Sequence, residues 1–190
     1  MYDFQLYRSV EDNFPTEIEI EAEGAKYPIN ADFRVILRAI RVQEREDVSQ
    51  EARNLKIIQI FYPGGHPKGD PLFYFWVFVG RCKAPEPDMP NIPPVMDYFF
   101  DADVIYTSVK MQYGVDLLKT PYLHWYEFLM LIEGLNDQTP LAERMRLRRM
   151  KTDHLKGWDL IEARAAKKRV ALPVDEEAAG QAQMARFGML

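Results

Sequence analysis

The stretch from Leu72 to Val79, LFYFWVFV, constrains the fold more than any other part of the chain. Seven consecutive residues, Phe73 to Val79, are aromatic or β-branched. Such a run can be a buried strand. It can also be a short helix that is apolar around its whole circumference, and periodicity alone does not choose between them. Asp70 and Pro71 just before it can supply a helix cap and a first helical residue. A helix needs only one apolar stripe to dock on a core. If residues 72–79 are helical, either the domain encloses them on all sides, or one side faces water until another chain covers it. The second reading makes Leu72, Phe73, Phe75, Trp76 and Val79 the candidate residues for self-association or partner binding.

Around that run the pattern is mostly helical. In TEIEIEAEGAKYPINADF, Ile18 and Ile20 alternate with glutamates, which predicts a strand. Gly24 turns the chain and a short second strand returns, so a hairpin is expected over about 17–29. Asn30 or Asp32 caps a helix carrying Phe33, Ile36, Leu37 and Ile40 on one stripe and running to about Glu46. A second helix over 50–62 stops at Pro63-Gly64-Gly65. Residues 84–94, APEPDMPNIPP, are too rich in proline for a helix interior or a sheet ladder. Asp101 or Asp103 opens a helix closed by Gly114. Thr120-Pro121 opens the next, which ends near Gly134. Two basic helices follow at about 140–150 and 156–170, with Leu141, Met145, Trp158 and Ile161 on their apolar sides. The expected fold is therefore mainly α: a compact bundle of about six to seven helices with a small N-terminal β-hairpin. Residues 1–173 form one domain in this reading, and 174–190 a mobile tail.

Composition narrows the classes. The chain has 190 residues, 47% of them hydrophobic, which is enough for a core. No run approaches the roughly 18 apolar residues of a membrane span. The start, MYDFQLYRSVEDNF, lacks the basic and apolar regions of a signal peptide. Cys82 is the lone cysteine, so no intramolecular disulfide is expected and the compartment is a reducing one. Net charge is −5, unevenly spread. Residues 140–172 hold ten Lys and Arg against four Asp and Glu, or +6, which leaves −11 for the remainder.

Three stretches invite a chemical reading. In PYLHWYEFLMLIEGL, residues 121–135, His124 and Glu127 share a helix face and could begin a metal site. No third ligand follows at a matching spacing, and Asp101 and Asp103, two apart, point to different sides of a helix. Packing at a bundle edge is the simpler account, with Tyr122, Trp125, Phe128, Leu129 and Ile132 in the core and His124 and Glu127 as its polar margin. FYPGGHPKGD, residues 61–70, has glycines and Lys68 but not the Walker order of Gly, Lys and Ser/Thr. The run RMRLRRMK, residues 144–151, places Arg144, Arg148 and Lys151 on one helix side, and basic faces bind phosphate backbones. Against that, the chain as a whole is acidic, and a solvated face or an electrostatic contact with an acidic surface of a neighbour is the simpler account.

YPINADFR (27–34), IFYPG (60–64), FDADVIYTSVKMQYGVDLL (100–118), YLHWYEFLMLIEGL (122–135), the segment around RLRRM (146–150) and VALP (170–173) occur in the order seen in a known family. The chain resembles the tail assembly chaperone-like proteins of long-tailed bacteriophages that infect Gram-positive bacteria. The matching stretches cover most of residues 17–173. The loop 84–94 and the tail after Pro173 depart from the pattern, and residues 72–80 are more aromatic. The resemblance implies a mainly helical, non-enzymatic protein without a cofactor, acting in the cytoplasm of the infected cell and absent from the mature virion. Its implied partners are the tape measure protein, the tail tube subunit and further copies of itself, with no membrane and no nucleic acid. Two other readings of the sequence are a permanent tail or connector component, and a small metal-dependent or nucleic-acid-processing enzyme.

Overall fold

The computed structural model describes residues 4–81 and 94–173. They divide into two units: residues 4–81 with 118–134, and residues 94–117 with 135–173. Among the described residues there are eight α-helices and one two-stranded antiparallel hairpin, so the chain is mainly helical as expected. Cys82, most of the proline-dense stretch and the tail 174–190 lie outside the described residues.

In the first unit, α1 is a single turn, Val10–Asn13, capped by the Ser9 hydroxyl, which accepts from Asp12 N at 3.1 Å. The apolar pattern gave no sign of it. Asn13 holds the turn from inside, exchanging two hydrogen bonds with the backbone of Gln5. Strands β1 (Glu17–Ile20) and β2 (Ala25–Pro28) pair in register from Glu17 opposite Pro28 to Ile20 opposite Ala25. A 3-10 turn at Glu21–Glu23 joins them, and Gly24 follows at φ +58°, a conformation that favours glycine.

Helix α2 (Phe33–Gln43) begins where Asp32 accepts from Arg34 N at 2.9 Å, and buries Phe33, Val35, Ile36 and Ala39. Helix α3 (Gln50–Phe61) packs on α2 and buries Ile57 and Phe61. The run at 72–79 is a helix: α4 spans Pro71–Val79 and packs on α3. Helix α6 (Trp125–Glu133) packs on α2, with the rings of Phe33 and Phe128 stacked at 4.5 Å. Burial of each such ring contributes roughly 1.5–3 kcal/mol.

Helix α6 starts later than Thr120-Pro121 suggests. Residues 120–124 stay outside it because their backbone is used elsewhere. Arg34 donates to the carbonyls of Thr120 and Pro121 at 2.9 and 3.1 Å. Phe33 N donates to Leu123 O at 3.0 Å and Trp125 N to Ala31 O at 2.8 Å, making a one-pair bridge between Asp32 and His124. Tyr122 is consequently half exposed rather than core, whereas Trp125, Tyr126 and Phe128 are buried.

In the second unit, α5 (Ala102–Tyr113) packs on α7 (Pro140–Arg149), which packs on α8 (Gly157–Val170). Helix α5 ends at Gly114, left-handed at φ +71°. Thr139 caps α7, and Leu141 N donates to the buried Ser108 hydroxyl of α5 at 3.0 Å. On α8 the apolar side faces water: Trp158 is 83% exposed and Ile161 58%. Ala163 is the residue α8 buries.

Two of the four arginines of α7, Arg144 and Arg148, turn inward, while Arg146 and Arg149 stay exposed. Asp101 has no exposed surface. Arg148 grips its two carboxylate oxygens at 2.6 and 2.7 Å, Arg144 donates at 3.1 Å, and Asp97 N donates at 3.0 Å. Arg148 also donates to the carbonyls of Val95 and Val170, so one guanidinium ties together the entry to α5 and the end of α8. Arg144 reaches Asp103 as well, at 3.2 Å, so the two aspartates face a common cation despite their spacing. Arg146 pairs with Glu143.

Burial would push the Asp101 carboxyl up, but the hydrogen bonds from Arg148, Asp97 N and Arg144 outweigh it and hold the pKa below its ordinary 3.8. The folded form is therefore favoured fully above that value and loses this contribution as pH falls through the lower folded pKa. Asp101→Ala leaves the buried Arg148 guanidinium without its carboxylate, while Arg144 keeps Asp103. We expect it to cost the second unit about 3–5 kcal/mol, read as accelerated amide exchange in α5 and α7, and to abolish that part of the acid sensitivity.

Candidate partner-binding surface

Helix α4 is fixed at both ends. The Asp70 carboxylate accepts from Leu72 N and Phe73 N, both at 3.1 Å, and Pro71 occupies the first turn, where its missing N–H costs nothing. The Tyr62 hydroxyl donates to Pro71 O at 3.0 Å. At the other end the Trp125 indole donates to Val79 O at 3.0 Å. Arg81 then leaves the helix at φ +54° and reaches Glu133 at 2.9 Å.

One arc of α4 docks. Phe75 and Phe78 are buried, three residues apart. Phe75 meets Phe61 edge-on at 5.1 Å, and Phe78 stacks on Tyr126 at 4.8 Å. Leu72 and Val79 are half-buried. At about 100° per residue they fall on the same side of the helix as Phe75. The opposite arc is open: Phe73 is 57% exposed and Trp76 42%. The described residues do not enclose the run on all sides, and Phe73 and Trp76 are its accessible members. Because the aromatic run is apolar all round, its sequence carried no sign of which arc docks.

A groove of about 600 Å³ between α2 and α3 had no place in the sequence analysis. Four cations line it: Arg38, Arg41, Arg45 and Lys56, all exposed. The first three recur at intervals of three and four, a helical spacing that was legible in FRVILRAIRVQER.

His124 is a buried cap, 2% exposed, and not a polar margin. Its Nδ1 accepts from Tyr126 N at 3.0 Å, and its Nε2 lies 3.0 Å from Pro15 O. A carbonyl only accepts, so Nε2 carries the hydrogen and Nδ1 is the bare nitrogen. Both ring nitrogens are thus engaged. Glu127 is exposed and makes no shared site with it. Among the described residues no group of three or more His, Cys, Asp or Glu could hold a metal ion.

Burial lowers the His124 pKa below 6.5, against a smaller opposing pull from Pro15 O. A proton on Nδ1 would also face the Tyr126 N–H and the positive end of α6. The unfolded chain takes up a proton near 6.5 while the folded chain resists it. Stability is therefore full above that pH and declines below it. We expect the protection of the α6 amides, taken relative to their intrinsic exchange rates at each pH, to fall between about pH 7.5 and 5.5. His124→Asn keeps a capping side chain without a titrating group and should flatten that dependence.

Among the described residues no helix is long and apolar enough to cross a membrane. No curated protein and no solved structure matches the chain. Residues 80–172, which run from the end of α4 through α8, match the family model described as Bacteriophage Gp15 protein, and this part of the chain is similar to a bacteriophage protein family.

Proposed function

We propose that this protein is a phage tail assembly chaperone. It binds the long helical tape measure protein in the cytoplasm of the infected cell, keeps it soluble, and yields it to the tail tube subunit as the tube grows. The observation that carries the reading is the open arc of α4, where Phe73 and Trp76 present aromatic surface on a helix anchored at both ends. The similarity of residues 80–172 to a bacteriophage family supports the setting.

The chemistry suits a temporary contact. A tape measure exposes amphipathic helices before its tube encloses it. Covering them calls for many small apolar contacts that can be undone, and aromatic anchors supply most of the energy at small interfaces. Two half-exposed rings per chain give a weak single contact. Repetition along a long helix, with neighbouring copies touching one another, makes the coat hold. The protein catalyses no reaction in this scheme and needs no cofactor.

Co-expression with the tape measure protein should raise the soluble yield of that protein and allow the two to co-purify. Phe73→Ser combined with Trp76→Ser should abolish capture while leaving the melting temperature within a few degrees of wild type, because both rings are largely outside the core. Unfolding of the double variant would place these rings in the core and end the α4 assignment. Mass spectrometry of finished virions should find no copies of the protein. Stoichiometric amounts there would favour a permanent tail component instead.

A further inference from the structure

We propose that the groove between α2 and α3 seats an acidic amphipathic helix of the protein partner. This rests on the chaperone reading and adds two things to it: a second contact site, and the sign of the charge that the partner helix carries.

The cations set the sign. Lys56 makes no hydrogen bond or ion pair among the described residues, and the one bond from Arg38, Nε to Arg34 O at 3.3 Å, leaves its positive charge unopposed by any carboxylate. Arg41 and Arg45 are paired with Glu44 and Asp47, but both pairs are exposed. Exposed pairs of this kind contribute about 0–1 kcal/mol, so a partner's carboxylate can replace them at little cost.

Spacing and lining set the shape. Arg38 and Arg41 stand one turn apart on α2, about 4.5 Å along its axis, and Arg45 follows two residues past the helix end. Carboxylates at positions i and i+3 or i+4 of a helix lying alongside would meet Arg38 and Arg41, and a further carboxylate could reach Arg45. The groove is also lined by Val35, Val42 and Ile60, which a simple anion cannot use and an apolar helix stripe can. A nucleic acid fits less well. Its phosphates gain nothing from the apolar lining of Val35, Val42 and Ile60.

The test uses the full chain and labelled synthetic peptides of about 20 residues, some 30 Å of helix. One repeats Leu-Glu-Glu-Leu-Leu-Glu-Glu, and its counterpart carries Lys in place of every Glu. Fluorescence anisotropy should show the acidic peptide binding, more weakly as salt rises, and the basic peptide not binding. Arg38→Glu with Lys56→Glu should weaken the acidic peptide at least tenfold, and Arg38→Gln with Lys56→Gln by less. Both residues are exposed, so circular dichroism and melting should be unchanged. Equal binding of the two peptides, an affinity indifferent to the charge reversals, or displacement of the acidic peptide by a single-stranded oligonucleotide at equal concentration would each overturn the assignment. If the peptide fails while co-purification with the tape measure protein succeeds, the groove is wrong and the chaperone reading stands. Groove-dependent peptide binding without co-purification supports the groove as an acidic-helix site and removes the chaperone reading.

Discussion

The first unit depends on bringing two helix N-termini together. Helices α2 and α6 begin at residues 33 and 125, and the backbone bridge between Asp32 and His124 holds their caps face to face. Each N-terminus carries the positive end of a helix dipole, so their approach is unfavourable unless something negative or neutral stands between them. Asp32 supplies the negative charge, shared among Arg34 N, the Arg34 guanidinium and Leu123 N. His124 supplies the neutral acceptor. The rest of the unit follows from this junction. It places Trp125 where its indole can hold the end of α4, and it places Tyr126 and His124 against Phe78. The open arc of α4 is thereby defined by a contact made 46 residues further along the chain.

That dependence also marks where sequence reading stopped. The hairpin was legible because EIEI alternates, and α2, α3 and α5 were legible because an apolar stripe, a cap or a closing glycine marked their ends. The start of α6 was not. Thr120-Pro121 has the form of a helix start, yet tertiary bonds from Arg34 take those carbonyls, and histidine is not among the residue types that usually cap. The basic run at 144–151 misled for a related reason. Its charges look solvated until Asp101 is set against Arg148, and nothing local in either segment states that pairing. For the α4 surface, the run itself was conspicuous, but a helix apolar all round gives no hydrophobic direction. Only the positions of Phe61 and Tyr126 decide that Phe75 and Phe78 dock while Phe73 and Trp76 remain open.

The buried Asp101 cluster in the second unit and the cap junction in the first solve one problem by different chemistry. Each must remove charge or dipole from water without leaving it unmatched. The second unit uses a full ion pair with extra donors, so that the carboxylate stays ionised. The first uses a neutral imidazole whose two nitrogens are both satisfied. The consequence is that acid acts on the His124 cap as pH falls below the ordinary histidine value, whereas the Asp101 cluster, like Asp32, gives way only below the ordinary carboxylate value.

The similarity to a bacteriophage family begins at residue 80, just after α4, so it includes the α6 cap and the Asp101 cluster but neither the aromatic arc nor the cationic groove. The two surfaces differ in what they ask of a partner. In the proposed scheme the arc offers aromatic area without charge to any apolar stripe. The groove adds a sign, set by arginines of the α2 segment and Lys56 of α3. An amphipathic helix that satisfies both must carry an apolar ridge flanked by carboxylates, and a helix with basic flanks meets only the arc. Discrimination of that kind comes from the unfavourable pairing as much as from the favourable one. It also yields to salt and to competing charge without any change in the fold, which is what the proposed release to a growing tube requires.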